Sequence, residues 1–377
     1  MLRLIHTADW QLGKPYGRFD SDVRAALGEA RFDAIGKAAV EHGAAHVLVA
    51  GDVFDTEGPE DRVIVQAVSR MQRYACTWWL LPGNHDFARN SGLWDRVRAK
   101  GAANIRVVTE AVPCELEPGH WLLPAPLTHR HNLDDPTAVF DTMETPGATL
   151  RIGLAHGSIR DFSSRGEAQN QIAPDRAQRS QLDYLALGDW HGCKQIDART
   201  WYSGTPETDR FRANEPGFAL RVQIDAPGAP PQVEPIPIGR YRWSQSVHAL
   251  AVASDADAVV ARLAALDESD VAQISLQGET DLHSLERIKA ALSQAEARAR
   301  SLSVDFDALR LLPTDEDILA LNADGYLGDV IATLRDRQGG AQPQVATQAL
   351  ALLTTLLAER RAAGNGGGGM ATQGATA

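Results

Sequence analysis

Apolar positions in the first 240 residues come in short runs separated by longer amphipathic stretches. LRLIHTAD, AHVLVAGD, TWWLLPGNHD, LRIGLAHG and YLALGDWH each predict a buried strand, since a compact apolar run closed by turn formers suits a strand covered on both faces. Residues 24–42 and 60–75 lie between such runs and carry helical spacing. This alternation predicts an α/β domain with a layered core. From 246 onward SVHALAVA, 255–266, VAQISL, 283–300 and SVDFDALRLL read as βαβαβ, a small accessory α/β domain. The Pro/Gly-rich APGAPPQVEPIPIGR (226–240) between the two patterns predicts an edge strand and a linker. In residues 342–362, Val345, Leu350, Leu352, Leu353, Leu356 and Leu357 are spaced as an amphipathic helix. The expected organisation is therefore 1–240, 241–338, a helix at 339–362 and a disordered tail at 363–377, GNGGGGMATQGATA in its last stretch.

The strand-like runs share an ending: a small residue, then Asp, Asn or His. In order these are Asp9 and Gln11, Asp52 and Asp55, Asn84, His85 and Asp86, His156, and Asp189 with His191. One such residue alone is an ordinary helix cap or turn former. The set is harder to obtain from turns, because GDxxD is followed 32 positions later by GNHD, with DxQ before the pair and a His and a DxH after it. Mixed oxygen and imidazole donors without thiolates suit two divalent cations such as Mn²⁺, Fe²⁺ or Mg²⁺. Asp52 is the natural bridging carboxylate between them. Phe54 and Asp55 are expected to pack and support, and Cys193 to be a small buried residue.

HTADWQLGK resembles the HTSDWHLG signature of the calcineurin-like metallophosphoesterase superfamily in its DNA-repair exonuclease branch, the branch of the SbcD subunit of SbcCD. GDVFD and GNHD match that branch outright, and YSGTPETDRF resembles the strand and turn after its site. The resemblance covers about residues 4 to 212. It implies a four-layer α/β/β/α sandwich with a small α/β capping domain and a C-terminal helix. One metal would be held by Asp9, Gln11, Asp52 and His191, the other by Asp52, Asn84, His156 and Asp189. His85 would orient the scissile phosphate and help protonate the leaving oxygen, with Asp52 the other catalytic position. Two positions depart from the family: Gln11 stands where it has His, and Asp189 where GHxH has its first His. A neutral amide is the weaker ligand, and a carboxylate the harder one, so a retained but retuned two-metal site is expected, with Mn²⁺ foremost.

The chain has 377 residues and a formal charge of −12. After Arg240, 11 basic residues face 18 acidic ones, so the acidity is densest away from the expected site. DNA therefore stays open as a substrate, with weak, salt-sensitive binding by this chain alone. Arg89, Arg160, Arg165 and Trp190 are the candidate DNA contacts, Arg176 and Arg179 are nearby basic residues, and Trp94 is expected in the core. Three scattered cysteines suit a reducing, cytoplasmic compartment. No signal peptide or membrane-spanning run is read from the sequence. The resemblance further implies an SMC-like coiled-coil ATPase of the SbcC type as partner through residues 342–362, and a homodimer, with 60–75 and 92–100 as candidate contacts. The expected function is a metal-dependent DNA exo/endonuclease in break processing or defence against foreign DNA. The alternatives are a small-substrate phosphatase or nucleotide phosphodiesterase, and an inactive DNA-binding scaffold.

Overall fold

A computed structural model describes residues 1–17, 19–89, 92–160, 169–211, 215–320 and 325–365. The chain divides into two units, Met1–Arg242 and Trp243–Ala377. In the first, Leu2–Thr7 (β1), His46–Val49 (β2), Thr77–Leu80 (β3) and Ile105–Val107 (β4) alternate with helices Ser21–Glu41 (α1), Asp61–Met71 (α2) and Leu93–Arg98 (α3). Next come Cys114–Glu117 (β5), His120–Ala125 (β6), Leu150–His156 (β7), the short pair Ser158–Ile159 (β8) and Gln171–Ile172 (β9), and helix Arg176–Arg179 (α4). Tyr184–Gly188 (β10), Lys194–Gln195 (β11), Thr200–Tyr202 (β12), Phe218–Ile224 (β13) and Gln232–Pro237 (β14) complete the unit.

These strands form two six-stranded sheets. One has the order β14-β13-β1-β2-β3-β4 and the other β11-β12-β10-β7-β6-β5. Strands β1 to β4 are mutually parallel, as are β6, β7, β10 and β12, so each sheet points several strand ends the same way. The proline-bearing β14 is the edge expected from 226–240, where a missing N–H is tolerated.

Alternation along the strands builds the layers. Leu4, Leu48 and Trp79 enter a core shared with Leu122, Ile152, Leu154, Tyr184 and Ala186 of the other sheet. Their neighbours Ile5, Val47, Val49, Trp78 and Leu80 face outward onto Ile35, Ile64, Val68, Met71 and Trp94 of the helices. Leu123, Ala155, Leu185 and Leu187 cover the second sheet's outer face with Phe140, Ala177 and Leu182. The result is the α/β/β/α sandwich. Buried His6 ties the sheets together: Nε2–H donates to the Leu187 carbonyl (3.1 Å) and Nδ1 accepts from the Tyr184 hydroxyl (2.8 Å). Burial lowers its pKa to about 3, so this tie is a neutral one.

The sheets meet most closely where Gly188 ends β10. A Cβ there would lie 1.9 Å from the Ala50 carbonyl oxygen and 2.9 Å from His156 Nδ1. Gly188→Ala is therefore expected to destabilise the unit by at least about 1–3 kcal/mol, the usual penalty of overpacking. At roughly 2–4 °C per kcal/mol this is a clear shift of the melting temperature by circular dichroism. An unchanged melting point would show that the joint can open without penalty.

In the second unit, Arg242–Leu250 (β15), Asp270–Thr280 (β16) and Ser301–Leu311 (β17) form a three-stranded sheet. Helices Ala253–Ala264 (α5) and Leu282–Glu296 (α6) share a core with it through Val259, Leu263, Ile274 and Ile288. Asp315–Ala320 (α7), Tyr326–Gln338 (α8) and Pro343–Asn365 (α9) follow. The amphipathic segment is a helix whose apolar residues divide into two sets. Leu350, Leu353 and Leu357 pack with Ile318, Ile331 and Leu334 of its own unit, whereas Val345, Leu352 and Leu356 are exposed. Residues 363–365, expected in the tail, continue helix α9, and the rest of the expected tail, from 366 onward, lies outside the described residues. No helix among the described residues is long and apolar enough to cross a membrane.

Candidate metal centre

The first sheet delivers three loops to one place. After β1 the chain turns through Asp9 and Gln11, after β2 through Asp52, and after β3 through Asn84 and His85. Backbone bonds lock the first two together: Asp9 N–H to Gly51 O (3.1 Å), Gln11 N–H to Asp52 O (2.9 Å) and Leu12 N–H to Val53 O (2.9 Å). The third is pinned by Asp52, whose Oδ1 accepts from the His85 amide (2.9 Å). Asp86, fully buried, accepts from the Gly83 amide (2.7 Å) and the Phe54 amide (2.9 Å) and so braces both loops from below. The second sheet contributes His156 at the end of β7 and Asp189 just after β10.

Several of these residues sit in left-handed backbone conformations, with φ of 54° at Asp9, 45° at Gln11, 53° at Asp52 and 101° at Asp189. Such geometry is unfavourable outside glycine and persists where the surroundings over-determine it, commonly at functional sites. Gly51 and Gly83 allow the close approach: a Cβ at either would lie 2.2 Å from His156 Nδ1 or from Asp52 Oδ1.

Ligand atoms of Asp9, Asp52 and His156, all three buried, lie within 4.8 Å of one another. His156 donates Nδ1–H to the Ala50 carbonyl (2.8 Å). That bond commits Nδ1 and leaves Nε2 facing the carboxylates, 3.5 Å from Asp52 Oδ1 and 3.9 Å from Asp189 Oδ1. Nε2 is buried and makes no hydrogen bond, and the same holds for Asn84 Oδ1. Buried polar atoms are almost always satisfied, so two orphans beside a group of carboxylates fit an electropositive ion. On this half of the site the residues fit a divalent cation.

The other half is filled differently. Lys14 Nζ donates to Gln11 Oε1 (2.6 Å) and forms an ion pair with Asp209. The Gln11 amide nitrogen faces His191 Nε2 at 3.5 Å, and the Arg210 guanidinium lies 2.8 Å from His191 Nδ1 and 3.3 Å from its Nε2. Asp209 joins the group, its Oδ2 3.6 Å from His191 Nδ1 and its Oδ1 3.0 Å from Arg210 Nε. Burial alone would raise the Asp209 carboxyl; hydrogen bonds and charge from His191, Arg210 and Lys14 outweigh it and hold the group far below the usual carboxylate range. Lys14, Asp209 and Arg210 were not among the sequence candidates, although TPETDRF and Lys14, three positions after Gln11, both lie within the quoted motifs.

His85 donates Nδ1–H to the Asp55 carbonyl (2.9 Å), and its Nε2 faces Asp52 Oδ2 at 3.9 Å. Of the candidate DNA contacts, Arg89 is exposed, ion-paired with Glu57 (3.0 Å) and stacked over Phe87. Arg160 is exposed, and Trp190 is 36% exposed beside Asp189. Arg165 lies outside the described residues. Arg176, which the sequence put near the site, is buried and held by Asp135 (2.7 Å) and Asp141 (2.8 Å), so it serves the fold. Trp94 is core, its indole N–H donating to the Asp86 carbonyl. Cys193 is half-buried, and the three cysteines are free thiols.

Electrostatics at the centre call for positive charge. Burial pushes the Asp9 carboxyl up to about 6, with Asp52 and Asp189 adding to burial against His191 and His156. Burial would lower His156, but Asp52, Asp9 and Asp189 outweigh it and raise it to about 9. Both shifts mean that the metal-free fold prefers the protonated forms. Its stability from Asp9 falls as pH rises from about 4 to about 6, and that from His156 as pH rises from about 6.5 to about 9. An ion binding here displaces those protons, so the gain in melting temperature at fixed Mn²⁺ is expected to be larger at pH 8.5 than at pH 5.5. Thermal scans with and without metal check this, and an equal gain at both pH values would contradict it.

This sandwich, with carboxylates and imidazoles converging at the strand ends of both sheets, defines a metallophosphoesterase, a hydrolase of a class that binds divalent metals. The chain belongs to the calcineurin-like phosphoesterase family, whose model matches residues 2–220. It is 36% identical over 88 residues to the SbcD subunit of the nuclease SbcCD of Escherichia coli (strain K12), an alignment covering 22% of this chain and 21% of that protein. It is 25% identical over 227 residues to the DNA double-strand break repair protein Mre11 of Methanosarcina acetivorans, covering 57% of this chain and 35% of that one. The chain thus spans about a fifth and about a third of these relatives. Among solved structures, TT1561 of Thermus thermophilus aligns over 63% of this chain and 99% of its own, with a TM-score of 0.41 and 10% identity.

Proposed function

We propose that this chain is a metal-dependent phosphodiesterase that cleaves DNA, acting as the nuclease subunit of an SbcCD-like complex in break processing or defence against foreign DNA. The observation that carries the hydrolytic part is His156, with its Nδ1 committed to Ala50 and an orphaned Nε2 among Asp52 and Asp189. The DNA part rests on similarity to two proteins named as a nuclease and a break-repair protein.

Asp9, Asp52, Asn84, His156 and Asp189 would hold a divalent ion, Mn²⁺ foremost given the hard oxygen donors, with Mg²⁺ or Fe²⁺ as alternatives. Gln11 and His191 complete the frame on the other side. Such an ion supplies charge for the phosphoryl oxygens and lowers the pKa of a bound water. Asp52 anchors the His85 amide and so sets the distance between the metal-binding carboxylate and His85. The bond to Asp55 leaves His85 Nε2 as the end that can meet a leaving oxygen. Arg89, Arg160 and Arg165 would contact the DNA backbone, and Trp190 would stack on a displaced base.

Residues 1–240 would be the nuclease domain, and 241–338 a small accessory domain. Helix α9 covers most of 339–362 and has an exposed set (Val345, Leu352, Leu356) apart from the residues used internally, which supports docking of an SMC-like coiled-coil ATPase of the SbcC type there. Self-association through 60–75 and 92–100 and a cytoplasmic location complete the reading.

The test is hydrolysis of end-labelled duplex and single-stranded DNA, and of a small aryl phosphodiester, with Mn²⁺, with Mg²⁺ and with chelator. Metal-dependent DNA cleavage supports the proposal. Turnover of the small ester alone would reassign the chain to small-substrate hydrolysis, and no turnover of either in any metal would leave a scaffold.

A further inference from the structure

We infer that the Gln11–His191 half of the centre is occupied by two fixed side-chain cations, Lys14 and Arg210, in place of a second metal ion, so that the protein works with a single tightly bound ion. This rests on the metal-dependent reading above and changes the expected two-ion arrangement.

Three features carry it. First, the donor atoms that a second ion would need lie against side-chain cations. Gln11 Oε1, the amide's one good metal-binding atom, accepts from Lys14 Nζ at 2.6 Å. The amide nitrogen that remains faces His191 Nε2. The Arg210 guanidinium, 2.8 Å from Nδ1, favours the tautomer in which that nitrogen accepts, so that Nε2 carries the hydrogen.

Second, the arrangement is built from a buried anchor. Asp209 is 4% exposed at its side chain and holds Lys14 through Oδ2 and Arg210 through Oδ1. Its position next to His191 places both cations against the ring. By contrast, the opposite half presents His156 Nε2 and Asn84 Oδ1 with no hydrogen-bond partner. The two halves are thus unlike in kind: one has buried polar atoms without a hydrogen-bond partner, the other has resident positive charges.

Third, the resident charges disfavour another cation. A second ion beside Lys14 and Arg210 would face like charges at short range. Lys14 and Arg210 are 23% and 37% exposed at their side chains, so both are accessible to an anionic group. Arg suits two-point recognition of such a group.

The full chain loaded with Mn²⁺ and freed of excess metal provides the test, read by elemental analysis and by electron paramagnetic resonance rather than by turnover. The expected result is one Mn²⁺ per chain with the hyperfine pattern of an isolated ion. Replacing the cations and restoring a ligand (Lys14→Ala, Arg210→Ala and Gln11→His together) is expected to admit a second equivalent and produce a spin-coupled spectrum. Lys14→Met with Gln11→His is the milder variant should the first not fold, and it is expected to admit the second ion at higher Mn²⁺. Two ions with a coupled spectrum in the unaltered protein would overturn this inference and leave the metal-dependent reading intact. No bound ion would overturn both. A folded variant that still holds one ion would also overturn it, because the side-chain cations would then not be what excludes the second.

Discussion

Asp52→Asn is expected to abolish Mn²⁺-dependent hydrolysis and to reduce bound metal to background. The carboxylate is 3% exposed at its side chain and faces His156 Nε2 and His85 Nε2 from its two oxygens. Removing its charge takes away the anion nearest to the orphaned imidazole nitrogen. Loss of a group that merely supports a metal ligand typically lowers affinity roughly 10–100-fold. In the proposed role of direct ligand, Asp52 should exceed that. Asn is the right replacement because it keeps the shape, can still accept from the His85 amide through its carbonyl, and tolerates the left-handed backbone at φ 53°. The fold is therefore expected to survive, and circular dichroism should show native content. Metal content after dialysis and hydrolysis rates are the measurements. A folded Asp52→Asn protein with full metal and normal turnover would remove Asp52, and the site built on it, from the mechanism.

The strand-end residues could be read from the sequence because of how a parallel strand terminates. Each apolar run ends in a small residue that lets the loops crowd together, and the next polar side chain emerges at the same edge of its sheet. Gly51 before Asp52, Gly83 before Asn84 and Gly188 before Asp189 are of this kind, and the close approaches at all three explain why no larger residue stands there. The layers were legible for a related reason: runs such as HVLV and TWWL have no polar face, so both sides must be covered. What stayed hidden was charge pairing across long separations. Lys14 and Asp209 are 195 positions apart, and nothing local marks them as partners. Arg176 gave the opposite error. Its place in a basic stretch after His156 put it near the site, whereas Asp135 and Asp141, far away in sequence, enclose it. Periodicity likewise revealed helix α9 but not that its leucines divide between an internal face and an exposed one.

His85→Ala should separate chemistry from metal binding. Its Nδ1–H is committed to the Asp55 carbonyl, so the ring cannot rotate without losing a bond, and Nε2 remains on the side of Asp52. The side chain is 29% exposed, against none for His156, so a substrate can reach the first and not the second. A positioned imidazole that transfers a proton contributes about 10²–10⁴-fold to the rate. The expected result is a fall in kcat of that size with metal content unchanged. The leaving group gives a sharper signature. Departure of a sugar alkoxide from DNA requires a proton, whereas a nitrophenolate leaves as a stable anion. His85→Ala should therefore lose most of its rate on DNA and much less on an aryl phosphodiester. Equal losses on both would mean that His85 positions the phosphate without supplying the proton. Loss of metal along with activity would instead make the Asp55–His85–Asp52 arrangement part of the ion's cage.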